Sequence, residues 1–105
     1  MKQIDETFWV KKYITDNLGV GFTAQGLSNL GVIWNFIPRA AIGDRVKFGQ
    51  AIASIESTHS LKSLCIPVEG ILTFINPEIL EFPEGISEKT EVFVFEKVNY
   101  ALLGL

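Results

Sequence analysis

Apolar residues recur along the chain in short runs separated by turn-forming residues, the habit of a sequence that folds into many short strands. Phe8-Trp9-Val10 and the run on to Ile14 predict a first strand, and Asp16-Asn17 a turn. Leu18-Gly19-Val20-Gly21-Phe22 predicts a second strand, with glycines where backbones approach closely. Thr23 then opens the one helix the pattern supports, Ala24 to Leu30. Its hydroxyl is placed to accept from the first free amides, Leu27 and Leu30 share a face, and Gly31 is a suitable stop. Val32 to Ile37 predicts a strand that is apolar on both faces and therefore buried on both.

Pro38 to Asp44 reads as a loop, and Arg45 to Phe48 as a short run bracketed by Gly43 and Gly49. Ala51 to Ile55 leads into a strand, a tight polar tip at Ser57-Thr58-His59-Ser60 and a second strand through Ile66. Gly70 to Ile75 is the next strand, ended by Asn76-Pro77. Glu78 to Lys89 is expected to be a loop rich in Glu, Glu91 to Glu96 a final strand, and Ala101 to Leu105 an apolar tail adding a helical turn at most. The fold class is all-β with one short helix, in a single domain spanning residues 1–105.

Composition narrows the class of function. The chain is 48% hydrophobic and 20% charged, with a formal net charge of −3. That balance suits a soluble core-forming protein and lacks the basic face of a nucleic-acid binder. No apolar run approaches the roughly 18 residues that a membrane helix needs, and Met1 to Glu6 lacks the apolar core of a signal peptide. One cysteine allows no internal disulfide, which suits a reducing cytoplasm. Cys65, between Leu64 and Ile66, is expected to be a small buried hydrophobe, and Trp9, Trp34 and the phenylalanines to be core. One histidine with no surrounding Cys, His or Asp cluster argues against a dedicated metal site and against a Ser-His-Asp arrangement. No catalytic constellation emerges, so a carrier-like or binding protein is expected rather than an enzyme.

Glu56-Ser57-Thr58-His59 and Pro67-Val68-Glu69-Gly70 carry a family resemblance. They are similar to the lipoyl hairpin of the glycine cleavage system H protein, where Glu-Ser-x-Lys precedes Pro-Val-x-Gly at the same spacing. Trp9-Val10, Val20-Gly21-Phe22-Thr23, Leu30-Gly31, Pro38, Gly43-Asp44-Arg45-Val46, Gly49 and Asn76 fall in the family's order, so the resemblance covers roughly residues 8–96. It implies a barrel-sandwich hybrid and a carrier that holds lipoate on a lysine at an exposed hairpin tip. It also implies the P, T and L proteins of glycine cleavage, or a lipoate ligase, as partners.

In this chain the lysine position is His59. An acyl-imidazole hydrolyses readily and the ring has little reach, so the resemblance implies a scaffold or partner-binding module without a lipoyl arm. Three other readings stay open. Lys62, three residues on, or another lysine is the lipoyl site of a working carrier if the anchor has moved, and Lys62 is a solvent-facing strand lysine otherwise. His59 is an exposed turn residue, or the centre of a small-ligand or metal-binding tip. Glu56, matching an acidic residue of the family, is expected to steady the turn through a bond to the tip backbone.

Overall fold

The computed structural model describes residues 1–104. The predicted tail is a 3-10 turn over Tyr100–Leu103, with Leu105 outside the described residues. Among the described residues nine strands form two antiparallel sheets. They are β1 (Lys2–Gln3), β2 (Phe8–Lys12), β3 (Leu18–Phe22), β4 (Ile33–Pro38), β5 (Arg45–Val46), β6 (Ala51–Ser57), β7 (Leu61–Cys65), β8 (Gly70–Ile75) and β9 (Phe93–Glu96). One sheet has six strands in the order β1-β2-β3-β9-β8-β5, and the other three in the order β4-β6-β7. The expectation of a mostly β fold with a short helix after the second predicted strand is met: two open sheets with α1 (Ala24–Leu30) between β3 and β4.

Helix α1 starts and stops where its sequence dictates. Thr23 Oγ1 accepts from the Gly26 amide at 2.9 Å. At the other end the Gly31 amide donates to Leu27 O at 2.8 Å while Gly31 takes a φ of +75°, a conformation that side-chain-bearing residues rarely adopt. Leu30 is buried and Leu27 packs against the core, as their spacing predicts.

The two sheets meet through aromatic side chains. Phe36 of β4 lies 6.1 Å from Phe93 of β9 between ring centroids, and Phe93 lies 6.4 Å from Phe95. Phe8 stacks on Phe22 at 5.5 Å. Such pairs contribute about 0.5–1.5 kcal/mol each beyond burial of their area. Ile52, Ile55, Leu64, Ile66 and Leu72 fill the space between the sheets with no exposed surface or almost none.

Several expectations are corrected here. The first strand ends at Lys12, because residues 13–17 close a turn in which the Tyr13 amide donates to Asn17 O and Asp16 takes a φ of 68°. There the Tyr13 hydroxyl donates to Glu91, which raises the phenol pKa above its usual value, helped by desolvation and by the carboxylate charge. The segment after Asn76 is a short helix, α2 (Pro77–Glu81), followed by a 3-10 turn over Pro83–Gly85. Asn76 caps it by accepting from the Glu78 amide, and Pro77 supplies the fixed φ of a first turn.

Strand β4 is buried on one face only. Ile33 and Phe36 are buried, whereas Trp34 is 56% exposed and Ile37 is 40% exposed. The physical reason is that the three-stranded sheet packs a single face on the core, and a bulge between Ile33 and Asn35 displaces Trp34 from the ladder. Cys65 is likewise exposed, not buried: Leu64 turns inward opposite Ala53, so its neighbour turns outward. Trp9, in contrast, is core, and its Nε1 donates to Glu88 O at 2.7 Å.

Trp9 holds this place because its cross-strand partner is Gly21. A Cβ on Gly21 would stand 2.2 Å from Trp9 Cζ2 and 2.5 Å from the backbone oxygen of Thr90. Gly21→Ala is therefore expected to cost about 1–3 kcal/mol, read by urea unfolding, with a red shift in Trp9 emission as its ring is displaced toward water.

Candidate functional site

The hairpin of β6 and β7 pairs Ser54 with Ser63, Ile55 with Lys62 and Glu56 with Leu61. The Ser57 amide donates to Ser60 O at 2.8 Å, which leaves Thr58 and His59 as the central residues of the turn. Ser57 Oγ accepts from the Ser60 amide at 3.1 Å. The turn-steadying bond expected of Glu56 is thus made by Ser57. Glu56 instead accepts from Asn35 Nδ2 of β4 at 2.9 Å, an interaction across strands.

Neither Thr58 nor His59 has a positive φ. The tip is therefore not one of the primed two-residue turns whose twist closes a hairpin unaided. It leans on α1 instead. The Thr58 amide donates to Val32 O at 2.9 Å and the His59 amide to Leu30 O at 3.2 Å. Thr58 Oγ1 accepts from the Val32 amide at 3.1 Å. The helix end gains donors for its unpaired carbonyls, and the tip gains acceptors for its outward amides.

Gly31 makes this contact possible. A Cβ there would lie 2.7 Å from His59 Cδ2 and 2.9 Å from Thr58 Cβ. The imidazole of His59 is exposed on its outer side and rests with its inner edge on Gly31. Lys62 is exposed on β7, beyond the tip and opposite Ile55. His59 and Lys62 are on the same hairpin, but only His59 stands at its end. Among the described residues no group of three or more His, Cys, Asp or Glu side chains is placed to hold a metal ion, and no helix is long and apolar enough to cross a membrane.

Sequence reasoning singled out His59, Lys62 and Glu56 but not Thr58, Val32 or Asn35, which hold the hairpin in place. A threonine at a turn flanked by serines was the available signal for Thr58. Gly31 was legible only as a helix stop, since its second role depends on a segment 27 or 28 positions away, at Thr58 and His59.

Two sheets joined around a presented hairpin define a protein of the lipoyl-domain class. The glycine cleavage H-protein family model matches residues 1–92. The glycine cleavage system H protein of Burkholderia vietnamiensis is 33% identical over 87 residues, covering 83% of this chain and 68% of that protein. That of Burkholderia ambifaria is 32% identical over 97 residues, covering 91% and 76%. A crystal structure of the glycine cleavage system H protein from Mycobacterium marinum shares the fold with a TM-score of 0.70 at 18% identity, covering 94% of this chain and 90% of that one. The chain belongs to the glycine cleavage H-protein family.

The clamp between tip and helix predicts a local effect of substitution. Thr58→Val keeps the shape and removes the acceptor of the Val32 amide, at a cost of about 1 kcal/mol. Amide hydrogen exchange should quicken at Val32 and His59 and stay unchanged at Phe93 and Leu72. Exchange that quickens equally at all four would mean that the tip has no separate clamp.

Proposed function

We propose that this chain is an H-protein-fold module that binds partners without carrying lipoate. It serves as a non-transferring scaffold or competitor toward the P, T or L proteins of glycine cleavage, or toward a lipoate ligase. The observation that carries this reading is the side chain at the hairpin tip. Position 59 presents an imidazole laid back on Gly31, where a carrier of this family needs a long primary amine. A lysine amine forms a stable amide with a carboxylic acid and places it at the end of a flexible stem. The imidazole does neither, so the residues at the tip do not fit a covalently held lipoyl group.

Two features support a retained binding role. The hairpin is held in a defined pose by Thr58 and Val32, and the surface around it keeps exposed apolar side chains, with Val32 at 55%, Trp34 at 56% and Leu61 at 81%. Apolar side chains beside a fixed protrusion are the usual material of a protein contact. The alternative of a working carrier modified at Lys62 draws on one observation, the exposure of that amine. Against it stands the position of Lys62 within a paired strand, where a ligase must approach the flank of the sheet instead of its tip.

Incubation with a lipoate ligase, lipoate and ATP, followed by intact mass measurement, separates the readings. The wild-type chain is expected to gain no lipoyl increment and His59→Lys to gain one. An increment on the wild-type chain sinks the proposal, and its loss in Lys62→Ala then identifies the carrier site. Failure of His59→Lys to label removes the ligase from the set of partners.

A further inference from the structure

Two open sheets have four edges, and three of these are short or covered. Strands β1 and β5, at the ends of the six-stranded sheet, have two residues each. Strand β4 has α2 and the turn of Pro83–Gly85 packed against it and ends on Pro38, which has no amide to offer. Strand β7 is five residues long, and β6 is its one partner in the sheet.

The free edge of β7 has the groups that a further strand needs. The bonded pair of Ser57 and Ser60 sets the alternation of the ladder. Ile55 and Lys62 exchange hydrogen bonds, whereas Leu61 and Ser63 face Glu56 and Ser54 without them. The amides and carbonyls of Leu61 and Ser63 therefore point away from β6, with no backbone partner among the described residues. Leu61, 81% exposed, adds apolar surface beside them. Such an edge is a template for pairing with another chain.

Lys62 stands in the middle of it. It lies opposite the fully buried Ile55 and on the same face as the buried Leu64, so it projects on the core-facing side of the sheet. It is nevertheless exposed, and it makes no ion pair, since the one ion pair among the described residues joins Lys12 to Asp16. With His59 neutral, Lys62 is the only charged side chain between Glu56 and Glu69.

A strand laid along this edge would cover an ammonium group that has no counter-ion, which is unfavourable. Two-fold pairing of β7 with itself makes the conflict specific, because the outward groups at odd-numbered positions fix the registers. Full overlap centres on Ser63 and sets Lys62 beside Leu64 of the second copy. A shift of one step sets Lys62 on its own counterpart, and a shift the other way sets it beside Ile66. Leu64 and Ile66 are both buried. We infer that Lys62 holds the edge of β7 closed to a second copy of this chain. This role belongs to the flank of the hairpin and does not depend on what position 59 carries.

Sedimentation velocity under reducing conditions, with Lys62→Val and Lys62→Glu beside the wild-type chain, tests this. The wild-type chain and Lys62→Glu are expected to remain monomeric up to about 1 mM, and Lys62→Val to shift toward twice the monomer mass or beyond. In the associated variant, amide hydrogen exchange should slow at Leu61 and Ser63. Exchange at Phe93 and Leu72 reports whether Lys62→Val is folded, and Lys62→Thr supplies the same comparison if it is not. A folded uncharged variant that stays monomeric, association of Lys62→Glu equal to that of Lys62→Val, or association that leaves Leu61 and Ser63 unprotected overturns the inference.

Discussion

The arrangement at position 59 rests on a mutual satisfaction of backbone groups. A seven-residue helix ends with carbonyls that have no partner within the helix, and a hairpin turn ends with amides that have none within the turn. The Leu30 and Val32 carbonyls accept from the His59 and Thr58 amides, and neither segment is left wanting. Only glycine at position 31 lets the two backbones come this close, because any Cβ would enter the space of Thr58 and His59. Remove that approach and the turn, lacking the positive φ values of a self-closing hairpin, loses its support.

This dependence separates two properties that are easily merged in a carrier protein. The presentation of a residue is a matter of backbone contacts among α1, β4 and the turn. The chemistry of the presented residue is a matter of one side chain. In this chain the backbone contacts are complete whatever stands at position 59. A presented tip without an amine is therefore a coherent molecule, stable for reasons unrelated to the group such a tip carries elsewhere in the family.

Much of the fold was legible because local chemistry and global packing agree. Thr23 and Gly31 bound α1, and Gly21 of β3 marks the close approach of Trp9. Two of the errors share a cause. The apolar run of β4 suggested burial on both sides, and the apolar neighbours of Cys65 suggested burial there, because a single strand does not reveal how many layers its sheet will meet. The Glu-rich segment read as loop since α2 has only five residues, too few for helical periodicity to register. At the site, the exceptional residue His59 was visible in the sequence. The partners Asn35, Val32 and Gly31 were not, for their roles exist only once distant segments meet.

Strand β9 has a consequence for the order of folding. It pairs with β3 on one side and β8 on the other, so the middle of the six-stranded sheet is filled by residues 93–96. Leu18 meets Phe95 across most of the length of the chain, a closure with a high entropic barrier. The β6–β7 hairpin needs only neighbours in sequence, together with α1 and β4, all of which precede residue 66. During synthesis on a ribosome, the presenting half of the molecule has all its parts before the larger sheet can exist. Nascent chains therefore expose the unpaired flanks of β3 and β8 until the last strand emerges to join them.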